Sequence, residues 1–144
     1  SASLETVIAL AFFIPMLVDT GGNAGTQSST LITRGLATGE IDQSHGKTIF
    51  IREIITGLIL GIILGGFAYV RAYLMQGDPL IGIAVGFSLC VVLVLSNLVG
   101  ALLPILAMHL KVDPAVMAGP FITTVVDVVG LIVYFEVAKT IMGL

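Results

Sequence analysis

The chain has 144 residues, 57% of them hydrophobic and only 10% charged, with a net charge of −3 and a mean hydropathy of +1.13. These values exclude an ordinary soluble domain and place the chain in a lipid bilayer. Cys90 stands alone among apolar residues, which excludes a disulfide framework and a cysteine zinc site.

Charge is clustered as well as scarce. No Asp, Glu, Lys or Arg lies between Glu53 and Arg71, or between Asp78 and Lys111. Each gap is long enough to cross about 30 Å of hydrocarbon as a helix. The N-terminus lacks the basic region that a cleavable signal requires.

In chain order, a first helix is expected from about Leu4 to Leu36, longer than a straight crossing needs. It is expected to tilt or extend into water, with Gly21-Gly22 as a candidate break. A polar connection follows from Ala37 to Lys47, containing Gly39, Glu40, Asp42, His45 and Gly46. The second helix is placed at about Thr48 to Met75, ended by the turn signal Gln76-Gly77-Asp78-Pro79. A third helix runs from about Leu80 to His109, and a fourth from Pro114 to about Ile141, with Asp113 at its N-cap and Pro114 at its first position. The fold class is therefore an all-α integral membrane protein, a helical bundle with both termini on one side.

Arg34, Lys47, Arg52 and Lys111 flank the two loops of one face, and Arg71 and Lys139 lie toward the other. The excess favours a cytoplasmic position for the 37–47 and 110–113 loops. Both termini are then outside, which points to a preceding segment. His45 and His109 near helix ends are read as solvated residues, and Tyr69, Tyr73 and Tyr134 as interfacial anchors.

Two interruptions of the apolar pattern carry the functional signal. In the first helix, Asp19, Asn23, Thr26, Gln27, Thr30 and Arg34 recur at spacings of three and four and form one polar stripe. Gly21 and Gly25 form a pair beside it that suits close helix packing. An acid, two amides and several hydroxyls exceed what packing needs, so the stripe is read as the wall of a cavity or pore. Asp127 is the second interruption, with Thr123 one turn before it, Gly119 and Pro120 two turns before, and Gly130 close after. Pro120 leaves a carbonyl near residue 116 without its usual donor. Carboxylate, hydroxyl and carbonyl are hard oxygen ligands, which suit Mg²⁺ or Ca²⁺. A two-fold axis along the fourth helices brings two copies of Asp127 together, and two carboxylates match one divalent cation. Without that cation the pair repels and one member tends to hold a proton.

The run Pro15-x-x-x-Asp19-Thr20-Gly21-Gly22-Asn23-Ala24-Gly25-Thr26-Gln27, with Arg34-Gly35 and Gly39-Glu40, resembles the signature of the MgtE magnesium channels. Asn97-x-x-Gly100-x-x-x-Pro104, Asp113-Pro114-Ala115 and Gly119-Pro120-x-x-Thr123-Thr124-x-x-Asp127-x-x-Gly130 fit the same family. The resemblance covers nearly the whole chain, 1–144, as one transmembrane pore domain. It implies a homodimeric channel of a bacterial or archaeal plasma membrane that carries Mg²⁺, its pore at the dimer interface. Asp127, with Thr123 and Gly119, is then the ion site, and Asp19, Gly22, Asn23, Gln27, Thr124 and Gly130 line the pore. Some relatives carry an amide where this chain has Gly119, so a side-chain contact to the hydrated ion is lost there. Family members have five membrane helices preceded by cytoplasmic regulatory domains, and this chain matches from the second helix onward. No catalytic residue, bound organic cofactor or nucleic-acid partner is expected.

Other function classes are weighed by their requirements. Asp19-Thr20-Gly21 spells the D-T-G of aspartic proteases, but that motif needs a turn between strands in a soluble barrel. An intramembrane protease using Asp19 and Asp127 as a dyad needs the two within a few ångströms and one pKa strongly raised. A secondary transporter coupled to protons or sodium would also place an acid near the midplane. It differs from a channel in needing a second ion gradient.

Overall fold

The computed structural model of the chain describes residues 2–144, and the regular structure of those residues is helical. Four stretches are long and apolar enough to cross a membrane, spanning residues 4–38, 46–76, 79–109 and 120–142.

The first span consists of α1 (Ala2–Ala11) and α2 (Ile14–Thr38), interrupted at Phe12-Phe13. Pro15 explains the interruption, because it has no N–H for the carbonyl of Ala11 and its ring crowds that carbonyl. The Phe13 N–H turns to the Leu10 carbonyl at 3.1 Å, and the helix resumes with Leu17 N–H on the Phe13 carbonyl at 3.2 Å. Gly21-Gly22, the candidate break, is instead regular helix. Both glycines are buried, and packing against the neighbouring helices holds them in register.

Gly39 ends α2 at φ 78°, and a short 3-10 turn, Gln43–His45, leads into α3 (Gly46–Gln76). Asp42 caps this turn: its carboxylate accepts from the Ser44 N–H at 2.7 Å and from the Ser44 hydroxyl. His45 Nδ1 accepts in return from the Asp42 N–H at 3.0 Å. The Ser44 hydroxyl, and then its N–H, holds the Asp42 carboxyl below its ordinary value of 3.8. The cap is therefore fully formed above that value and lost only as the pH falls through the lowered one.

Asp78 starts α4 (Pro79–His109) by accepting from the Leu80 N–H at 2.9 Å, with Pro79 in the first turn, where a missing N–H costs nothing. α4 continues unbroken through Pro104 and is the hub of the bundle. Half of its most apolar segment is buried, against 22–28% for the other three spans, and it packs on α2, α3 and α5. On α3, Gly57, Gly61 and Gly65 recur every fourth residue and make the close seam to α4. A Cβ on Gly57 would lie 2.7 Å from Val94 Cα, and one on Gly65 would lie 2.7 Å from the Gly86 carbonyl oxygen. Small residues permit this approach where lipid supplies no hydrophobic drive for association. The opposite side of α3, with Ile55, Ile59, Ile62, Phe67 and Leu74, is apolar and exposed on the single chain, a surface suited to lipid.

The last helix, α5 (Pro120–Met142), begins later than the sequence pattern indicates. Asp113 and Pro114 do act as N-cap and first residue, but of a 3-10 turn, Pro114–Met117. The chain then leaves helical geometry at Ala118-Gly119, because a residue before proline is disfavoured in the α region. Gly119 adopts φ 63°, ψ −128°, a conformation open in practice to glycine. Tyr134 also departs from expectation. It is no interfacial anchor: it is fully buried, and its hydroxyl donates to the Leu10 carbonyl at 2.6 Å. That carbonyl lies in the last turn before the Pro15 break and accepts the Tyr134 hydroxyl on its second lone pair, beside the Phe13 N–H.

Candidate ion site

Asp127 lies two turns into α5, on the side facing α2. Its Oδ1 is buried and has no hydrogen-bond partner among the described residues. Gly22 of α2 stands opposite: a Cβ there would lie 3.9 Å from Asp127 Oδ1 and 3.5 Å from Thr123 Cγ2. Gly22, Thr123 and Asp127 thus form one constellation across the α2–α5 contact. Thr123 donates its hydroxyl to the Gly119 carbonyl at 3.1 Å, the same oxygen that accepts the Thr123 N–H at 3.1 Å. Thr124 repeats the arrangement on the Pro120 carbonyl at 2.8 Å. Both hydroxyl oxygens keep lone pairs, and both side chains are exposed on the single chain.

Asp19, Asn23, Gln27, Thr30 and Arg34 are exposed along one side of α2, as the stripe requires, with Thr26 half-buried. Gly130 is placed differently from its neighbours in the motif. It is buried against α4, where a Cβ would lie 3.6 Å from Val92 Cγ1. The carbonyl near residue 116 has a specific successor as well. Ser29 Oγ donates to the Met117 carbonyl at 2.9 Å and fastens the turn before α5 to α2.

Two further residues of α2 were not singled out from sequence. Ser28 and Ser29 are buried, and Ser28 donates to the Glu53 carboxylate of α3 at 2.9 Å. The signal was present in the repeat, since both serines continue the Gly21 and Gly25 face. Behind the site, α2 and α4 meet at backbone distance, where a Cβ on Gly100 would overlap the Gly25 carbonyl oxygen.

No group of three His, Cys, Asp or Glu side chains able to hold a metal ion occurs among the described residues. A single chain thus offers one lone carboxylate, flanked by hydroxyls and a helix break.

The architecture is that of a multi-pass membrane protein with a half-buried acid, one of its oxygens fully buried, between two spans. A family model described as MgtE, divalent cation transporter, matches residues 14–137, and the chain belongs to that family. It is 45% identical over 139 residues to the magnesium transporter MgtE of Thermus thermophilus, a match covering 96% of this chain and 31% of that protein. With the magnesium transporter MgtE of Bacillus subtilis it shares 37% identity over 136 residues, covering 94% of this chain and 30% of the relative. The Enterococcus faecalis magnesium transporter MgtE is 35% identical over 133 residues. The chain spans about a third of the length of these relatives, all of which are named as transporters.

Proposed function

We propose that this chain is the pore-forming part of a homodimeric channel for Mg²⁺, in which two copies of Asp127 hold one hydrated ion. The observation that carries the reading is the buried Asp127 Oδ1 without a partner, next to the space left by Gly22. A carboxylate in a membrane span is costly unless compensated, and such residues mark ion paths by default. One carboxylate per chain balances half the charge of a divalent cation, so a second copy completes the site. The exposed face of α5, with Phe121, Thr124, Val128 and Ile132, is available to that copy.

Mg²⁺ dehydrates reluctantly, and a conducting site must also release it. Contact through retained water meets both conditions and fits the absence of a dense ligand cluster among the described residues. In this reading Thr123 and Thr124 offer hydroxyl oxygens to the hydration shell, and the Gly119 break lets the ion approach the start of α5. Asp19, Asn23 and Gln27 form the polar wall contributed by α2, with Gly22 providing width.

The relatives' printed names support Mg²⁺ as the cargo. The test is Mg²⁺ uptake into proteoliposomes containing the full-length protein, driven by a Mg²⁺ gradient alone. Uptake that follows this gradient and the voltage, with pH and Na⁺ equal on both sides, is expected. A strict need for a proton or sodium gradient would instead establish coupled secondary transport.

A further inference from the structure

The 39–45 loop and the first turns of α3 enclose a cavity of about 300 Å³ that the ion path does not use. Its apolar part is formed by Leu31 and Ile32 of α2 with Ile41 and Ile49, and its polar part by Arg52, His45 and Thr48 with Glu40 and Glu53. A groove of about 340 Å³ adjoins it, shares Thr48 and Arg52, and continues along α3 over Ile51, Ile55 and Thr56. A chamber of mixed lining, apolar over most of its wall with charged groups on one side, therefore adjoins an apolar groove on the exposed face of α3.

The opposite charges in this chamber make no direct ion pair among the described residues. Among the described residues, the ion-pair distances include His45 with Asp42 and none from Arg52 to an acid. Glu53 is occupied on one oxygen by the Ser28 hydroxyl, which leaves its other oxygen free of that bond. An unpaired guanidinium and two carboxylates around one cavity are complementary to a ligand bearing both an anion and a cationic N–H donor.

Depth argues for the same ligand. α3 has 31 residues, a length of about 46 Å at 1.5 Å per residue. It exceeds a hydrocarbon thickness of about 30 Å by roughly 8 Å at each end, which is the headgroup layer. Arg52 is the seventh residue of α3, at the boundary between that layer and the acyl chains. A guanidinium there binds a phosphate bidentately, and its stem runs along apolar surface.

We infer that this chamber and groove form a binding site for an aminophospholipid of the surrounding bilayer. Arg52 takes the phosphate, Glu40 and Glu53 take the primary ammonium, and an acyl chain lies along Ile51 and Ile55. The bound lipid fills the space between the 39–45 loop and α3 and steadies α2 through the Ser28–Glu53 bond.

The test is native mass spectrometry of the delipidated full-length protein titrated separately with phosphatidylethanolamine, phosphatidylglycerol and phosphatidylcholine. Phosphatidylethanolamine should bind about tenfold more tightly than the other two, which lack a cationic N–H donor. Arg52→Gln should weaken its binding about tenfold, and Glu40→Gln, at an exposed position, should narrow its advantage over phosphatidylglycerol. Equal affinity for the three lipids in the unmodified protein overturns the inference, with no variant needed. So does undiminished binding in a folded Arg52→Gln protein, or a chamber closed to every lipid by another part of the full-length protein.

Discussion

Asp127→Asn should lower Mg²⁺ flux by about a hundredfold or more while the protein still folds and assembles. The substitution keeps the shape of the side chain while removing its charge and exchanging one acceptor oxygen for an NH2 donor. At an effective dielectric of about 20, a divalent cation about 4 Å from a carboxylate is favoured by on the order of 8 kcal/mol. Loss of about half that amount changes occupancy by a factor of more than about a hundred. Asp127 Oδ1 has no hydrogen-bond partner among the described residues, so the change breaks no bond between helices. Thermal unfolding and cross-linking should therefore match the unmodified protein. Asp127→Glu should retain partial flux, since it keeps the charge but pushes it into the space beside Gly22. Normal flux in Asp127→Asn would make the residue structural and remove the proposed basis of ion binding.

The second large effect is on stability. Gly100→Ala should destabilise the bundle by about 2 kcal/mol. The added methyl meets the Gly25 backbone, 2.9 Å from its carbonyl carbon and 3.0 Å from its Cα, and no rotamer change relieves a backbone contact. α2 would be forced away from α4, and it carries Gly22 and the polar stripe with it. Gly66→Ala provides the control. Gly66 also lies within a helix, but it is exposed and a Cβ there meets nothing within 4 Å. Alanine at that position should leave stability unchanged or raise it by up to about 1 kcal/mol through helix propensity alone. Denaturant titration in detergent micelles, followed by helical circular dichroism, reads both. Equal shifts for the two variants would mean that the α2–α4 contact is looser than described.

The number of spans and most of their ends were legible in the sequence because charge scarcity, Gly77, Asp78 and Pro79 are local signals with local causes. Two boundaries were not. Pro15 was given no effect on the helix, and Pro120 was placed inside a helix already under way. Pro15 broke the first span upstream of the conspicuous Gly21-Gly22, since a proline disturbs the turn before it while packed glycines remain helical. Pro120 moved the start of α5 to residue 120, and the conformation of Gly119 became the break itself. Pro104, by contrast, sits inside an unbroken helix held by packing on three neighbours.

The candidate site was legible in part. Periodicity placed Asp19, Asn23 and Gln27 on one exposed face, and the cost of an acid in lipid singled out Asp127. That Gly22 is the residue opposite Asp127 depends on how α2 crosses α5, which no local pattern encodes. The roles of Tyr134, Ser28 and Ser29 share this origin. Each bonds to a group 25 or more residues away, on another element.

The central claim is that two Asp127 carboxylates share one hydrated divalent cation. Anomalous diffraction from crystals of the full-length protein soaked in Mn²⁺, a hard ion standing in for Mg²⁺, tests it directly. The account predicts a peak on a two-fold axis between the two Asp127 side chains, about 4 Å from each carboxylate, as water-mediated contact requires. Copies of Asp127 on outward faces of the assembly, with the strongest peak elsewhere, would contradict it.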